Sequence, residues 1–227
     1  MNSATNHGLI WDVDGTLVDT GDLHYWAWKK LADELGFPFT RDDFTSTFGW
    51  RNPEIIRKLF GSRFGDAEIA DLANRKEDFY KQAAREQGVT LLPGANSLLR
   101  AAKEAGWRQA IGSSAPRGNI DLILELTGSA GYFSAIVSQE DTERGKPDPQ
   151  VFQIAAQRLQ VEPACCIVFE DAPVGVQAAK SAGMKCIAVR FLDHHSQQAL
   201  QAAGADLIVD SLESISFETI KAMVCEK

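Results

Sequence analysis

Asp12 and Asp14 stand two residues apart in the string Asp12-Val13-Asp14-Gly15-Thr16, directly behind the apolar run Leu9-Ile10-Trp11. That run predicts a buried strand. Residues i and i+2 of a strand share a side of the backbone, so both carboxylates leave the strand on the same side. Asp14-Gly15 then breaks the strand into a turn. Two carboxylates at the edge of a hydrophobic layer are costly unless something positive lies between them. A hard cation with oxygen ligands, such as Mg²⁺, suits that need. Alone, the string also suits a surface turn closed by an aspartate side chain.

Three further groups follow predicted strands. Ser113-Ser114 follows Gln109-Ala110-Ile111-Gly112, Lys146 lies in Gly145-Lys146-Pro147-Asp148-Pro149 after Ala135-Ile136-Val137, and Glu170-Asp171 follows Cys165-Cys166-Ile167-Val168-Phe169. Each has a plain alternative: the serines could cap the next helix, Lys146 could be a solvated cation in a Pro-rich turn, and Glu170-Asp171 could open a helix. Together, at successive strand ends, they make a phosphoryl-transfer set. A hydroxyl and an ammonium can hold phosphate oxygens, and a metal and a lysine can neutralise the charge that develops on the transferring group. One aspartate can attack phosphorus. A second, two residues on, can carry a proton.

The elements that must position these groups alternate from residue 91 onwards. Helical patterns over 95–105, 118–126, 150–159, 174–182, 197–203 and 217–224 are separated by the strands already named and by Cys186-Ile187-Ala188-Val189 and Leu207-Ile208-Val209. Such alternation predicts right-handed crossovers and a parallel sheet with helices on both faces, a doubly wound, Rossmann-like α/β core that binds ligands beyond the carboxyl ends of its strands. Between residues 20 and 88 the pattern is helical throughout, with His24, Trp28, Leu31 and Leu35 recurring at three and four. We therefore expect a core of residues 1–19 and 89–227, interrupted by an all-helical cap of residues 20–88.

Composition narrows the partners. The 227 residues carry 31 acids against 23 Lys and Arg, a net charge of −8, with no basic run, so no nucleic-acid partner is expected. No stretch reaches the roughly 18 apolar residues that span a membrane. The N-terminal residues have neither a basic start nor an apolar core, so no secretory signal is expected. Cys165, Cys166, Cys186 and Cys225 fit no metal-ligand spacing and read as thiols of a reducing cytoplasm. A monomer is expected.

Taken in order, the DxDGT string, the serine after the second strand, Gly-Lys-Pro-Asp-Pro and Glu170-Asp-Ala-Pro-Val-Gly-Val-Gln-Ala-Ala179 resemble the haloacid-dehalogenase superfamily, in the branch of β-phosphoglucomutase and sugar-phosphate phosphatases. The resemblance covers nearly the whole chain. It implies that Asp12 is the nucleophile, Asp14 the general acid/base, and Ser113 and Lys146 the groups that bind the transferring phosphoryl. It implies Mg²⁺ held by Asp12, the Asp14 carbonyl and Asp171, with Glu170 nearby, and a small phosphorylated metabolite as substrate. In the cap it suggests His24, Trp28, Arg51 and Lys76 as substrate-binding residues, and in the core Ser114 and Arg117. The residues alone leave His24–Trp28 equally readable as a packing pair and Arg51 as a helix-start cation. Trp50 is bulky where cap meets substrate and is expected to select for size.

One stretch departs from the branch's mutases. They carry a Ser and a Lys just after the second motif to hold a second phosphate, whereas this chain reads Ser114-Ala115-Pro116-Arg117. Proline has no N–H to donate. The expectation is thus a Mg²⁺-dependent phosphatase, with a phosphosugar mutase as the alternative and a non-catalytic scaffold as a distant third. An amide cannot form the acyl-phosphate, so Asp12→Asn should abolish turnover while leaving the fold intact. Residual activity within about tenfold of wild type, a barrier change of only ~1.4 kcal/mol, would remove Asp12 from the nucleophile's role.

Overall fold

The computed structural model describes residues 7–191 and 194–224. The apolar run after His7 forms β1 (Gly8–Trp11), and the chain then enters four helices: α1 (Gly21–Leu35), α2 (Arg41–Thr47), α3 (Asn52–Phe60) and α4 (Asp66–Gln87). It returns through α5 (Ala95–Glu104) to alternate as β2 (Arg108–Gly112), α6 (Arg117–Thr127), β3 (Ala135–Val137), α7 (Gln150–Leu159), β4 (Cys166–Glu170), α8 (Pro173–Ser181), β5 (Lys185–Val189), α9 (Gln197–Ala202), β6 (Leu207–Val209) and α10 (Phe217–Met223).

The six strands form one parallel sheet in the order β3-β2-β1-β4-β5-β6. β1 thus lies at the centre, flanked by β2 and β4, where the winding reverses and where open α/β sheets place their ligands. Alternate residues serve opposite faces. Leu9, Trp11, Ile111, Ile167, Phe169 and Ile187 join one apolar cluster, while Ile10, Ala110, Val168, Cys186 and Ala188 join the other. Both faces being covered explains why the strands read as unbroken apolar runs rather than alternating ones.

The helical insertion is anchored in two ways. Trp28, Leu31, Phe44, Phe48, Ile55, Ile56, Phe60, Ile69 and Leu72 make a core of their own. Leu23 and Ala27 of α1 and Tyr80, Ala83 and Ala84 of α4 instead join the cluster that also holds Leu9 and Trp11 of the sheet. The α1–α4 pair is therefore apolar at both ends, with one end in the cap and the other on the sheet domain. Among the described residues no helix is long and apolar enough to cross a membrane.

The fourth strand starts one residue later than its apolar run suggests. Pro163 opens a short 3₁₀ turn in which the Cys165 N–H donates to the Glu162 carbonyl at 2.8 Å, so the strand begins at Cys166 and reaches Glu170. Cys166 and Cys186 are buried free thiols and Cys165 is half-buried; Cys225 lies outside the described residues.

Within the sheet one buried amide ties β2 to its neighbours. The Gln109 side chain accepts from Trp11 Nε1 at 3.1 Å and donates to the Leu99 carbonyl at 2.8 Å. Gln109→Leu should leave the indole N–H unpaired and lower stability by about 1–3 kcal/mol in urea unfolding. An unchanged midpoint would show that this bond contributes nothing net.

Candidate active site

Each of the expected strand ends delivers its group to one place. Asp12 follows β1, its N–H bonded to the Phe169 carbonyl of β4 at 3.0 Å, and it is buried. Lys146, from the loop after β3, extends its ammonium between two carboxylates: Nζ donates to Asp12 Oδ1 and to Glu170 Oε1, both at 2.6 Å. The other Glu170 oxygen accepts the N–H groups of Asp171 at 2.7 Å and Ala172 at 2.8 Å. Ser113 sits past β2, tied to β3 by its N–H to the Val137 carbonyl, and its Oγ accepts from the Ala115 N–H.

Charge at this edge is unbalanced. Asp12, Glu170 and Asp171 are buried carboxylates facing a single ammonium. Burial pushes Asp12 up to about 7, with Lys146 opposing and Glu170 adding to the rise. Burial, followed by the charges of Glu170 and Asp12, raises Asp171 well above the ordinary carboxylate range. Burial works against the Lys146 ammonium, yet Asp12 and Glu170 raise it overall, so it stays charged. The donor set is all hard oxygen, with no His or Cys within it. Among the described residues no trio of His, Cys, Asp or Glu side chains forms a ready cage. An all-oxygen set of this kind suits a hard cation that completes its shell with water and substrate oxygens.

Asp14 has a different environment. Thr20 Oγ1 donates to its Oδ1 at 2.5 Å and His24 Nε2 lies 3.1 Å from the same oxygen. Burial opposes ionisation here, but His24, Thr20 and the more distant Lys76 charge outweigh it and hold Asp14 below the usual range. Lys76 Nζ lies 2.7 Å from His24 Nδ1. An ammonium can only donate, so Nδ1 accepts and the ring proton is on Nε2, directed at Asp14. Thr20 precedes α1, in the position of a helix cap, yet makes no side-chain cap bond. Its hydroxyl serves Asp14 instead.

The cavity above these groups is partly open to solvent. Asp12, Asp14, Ser113, Ser114, Lys146, Glu170 and Asp171 line its floor, with Trp28, Phe44, Phe48, Trp50 and Ile55 of the insertion opposite. His24 and Lys76 also line it, but their polar ends are turned to Asp14 and Glu77.

The structure places two of the expected substrate-binding residues away from the cavity. Arg51 does not line the cavity; its guanidinium crosses the seam to Thr142 Oγ1 and to the carbonyls of Glu143 (3.2 Å) and Arg144 (2.8 Å). Arg117 does not line it either; it opens α6, and its side chain turns along the helix to Asp121 at 2.8 Å. Glu170, expected beside the metal, has both oxygens engaged and holds Lys146 and the turn after β4. Sequence reasoning missed Asn52, Glu77 and Asn119, which meet only through tertiary structure. It also passed over Phe44 and Phe48, whose helical spacing marks them merely as apolar.

The chain matches the model of the haloacid dehalogenase-like hydrolases over residues 9–189. It belongs to that family. It is 33% identical to a β-phosphoglucomutase of Bacillus subtilis over 218 residues, covering 93% of this chain and 92% of the relative. It is 31% identical to a fructose-1-phosphate phosphatase of Escherichia coli over 187 residues, covering 82% of this chain and 97% of the relative. Among solved structures, a β-phosphoglucomutase of Clostridium difficile superposes with a TM-score of 0.86 at 29% identity, covering 96% of each chain. This family member is an enzyme of phosphoester hydrolysis or phosphoryl transfer.

The floor of the site depends on a missing side chain. A Cβ on Gly175, in the first turn of α8, would lie 1.7 Å from Glu170 Oε1. Both Glu170 oxygens are held, so the carboxylate can give way only by breaking those bonds. Gly175→Ala should displace Glu170, release Lys146 from Asp12 and cut turnover by about 10²-fold, the order that small misplacements at a reacting centre cost. A folded variant with unchanged turnover would show that the Glu170–Lys146 pair does not position the nucleophile.

Proposed function

We propose that this chain is a Mg²⁺-dependent phosphatase of a small sugar monophosphate, working through an aspartyl-phosphate on Asp12. The observation that carries the reading is the lack, among the described residues, of a free cation facing the catalytic floor. Arg51 and Arg117 are spent elsewhere and Lys76 is paired with His24 and Glu77. The wall facing the catalytic floor is aromatic. It can take up the apolar face of one neutral sugar, and among the described residues that line it no unpaired cation remains for a second phosphate.

In this reading Lys146 and Ser113 seat the phosphoryl group beside Asp12. An Asp12 oxygen bonds to phosphorus as the ester P–O bond breaks, and the departing oxygen takes the proton of Asp14. Asp14 is ionised in the free enzyme, and the negative charge of bound phosphate beside it favours its protonated form. Water then attacks phosphorus and passes a proton back to Asp14, and the Asp12–phosphorus bond breaks to release phosphate. Asp12, Asp171 and the Asp14 carbonyl would hold Mg²⁺, which supplies charge neutralisation at the phosphoryl oxygens. Residues 20–88 act as a lid that excludes bulk water.

The mutase reading rests on the identity to β-phosphoglucomutases. One assay separates the two. The enzyme is given glucose 1-phosphate, glucose 6-phosphate or fructose 1-phosphate, with a catalytic amount of glucose 1,6-bisphosphate, in Mg²⁺ or in EDTA. We expect phosphate release in Mg²⁺, none in EDTA, and little isomerisation. Isomerisation at least as fast as release would establish the mutase, and full activity in EDTA would remove the metal.

A further inference from the structure

Lys76 and Glu77 are neighbours on α4, and adjacent residues on a helix do not face each other. Both nevertheless turn into the seam between insertion and sheet domain, with exposures of 1% and 6%. Their side chains meet there, Nζ to Oε1, at 2.9 Å. The Glu77 carboxylate is gripped from two sides. Asn52 of α3 donates to Oε1 at 2.6 Å, and Asn119 of α6 donates to Oε2. α3 belongs to the insertion and α6 to the sheet domain, so one carboxylate clasps the two units together. From Glu77 the contacts run on through Lys76 and His24 to Asp14.

We propose that Glu77 is a positioning residue for the proton-transferring Asp14, competent only while Asn119 holds it from the sheet domain. This rests on the phosphatase reading above. A buried ammonium without a partner is strongly unfavourable. Glu77 supplies the charge that keeps Lys76 in place, between the Trp28 and Tyr80 rings, each 5.3 Å from Nζ. Lys76 in turn fixes the His24 tautomer whose Nε2–H faces Asp14, and Tyr80 stacks on that ring with centroids 4.1 Å apart. If the insertion lifts, Asn119 leaves the carboxylate, and the series of contacts loses its fixed end. Proton transfer to the leaving oxygen is thereby tied to a seated insertion, without any of these three residues touching the reacting atoms.

The test exploits the leaving group. A sugar alkoxide must be protonated as it departs, whereas p-nitrophenolate leaves well without a proton. Both enzymes are assayed for kcat/KM, which reports the steps up to aspartyl-phosphate formation, on p-nitrophenyl phosphate and on the sugar monophosphate the wild type hydrolyses fastest. In Glu77→Gln, which keeps the shape and removes the charge, we expect kcat/KM to fall by about tenfold or more on the sugar phosphate and by less than about threefold on the aryl phosphate. Asn119→Ala, which removes only the grip from the sheet domain, should show the same bias to a smaller degree, and it covers the case in which Glu77→Gln fails to fold. Equal losses on both esters, or no loss on either, would overturn the inference while the phosphatase reading stands. A wild type that releases phosphate from neither ester would remove both.

Discussion

The buried ammonium of Lys146 is the interaction on which the catalytic edge depends. It joins Asp12 at the end of β1 to Glu170 at the end of β4, two strands that are direct neighbours in the sheet. Removing the lysine would leave three buried carboxylates crowded together, where like charges repel through a low dielectric. Its presence still leaves them short of positive charge, and Asp12 and Asp171 are raised as a result. A site left in that state favours the arrival of further positive charge.

Backbone conformations around this edge are tuned to close approach. Gly15 has φ of +83°, and a Cβ there would lie 2.1 Å from Asp171 Oδ2. Gly175 lets α8 begin against Glu170. Both glycines permit carboxylates from different strands to lie nearer each other than side chains on the intervening backbone would allow. The close approach adds to the cost of crowding charge, which the Lys146 ammonium offsets in part.

Two carboxylates two residues apart acquire opposite tendencies from their surroundings. Asp12 faces other acids and is raised; Asp14 faces Thr20 and His24 and is lowered. The division follows from direction. Asp12 looks along the sheet edge towards β4, whereas Asp14 looks towards α1, the first helix of the insertion. One carboxylate is governed by the sheet domain and the other by the insertion, so an enzyme of this design can couple chemistry to the seating of its cap.

The amino-acid sequence by itself determined the sheet, its winding and the identity of the four strand-end groups. Apolar runs separated by helical periods leave few alternatives to a parallel sheet, and a parallel sheet brings all its carboxyl ends to one edge. Asp12, Ser113, Lys146 and Asp171 were legible for that reason. Only the tertiary structure decided the upper half of the site. Arg51 and Arg117 looked like substrate cations, but one found backbone carbonyls across the seam and the other an aspartate along its own helix. Glu77 and Asn119 lie 42 residues apart and meet because two hydrophobic units dock on each other. Local periodicity records which face of a helix is apolar. It does not record how one packed unit is seated on another, and that seating selects the partners of every polar group along the seam.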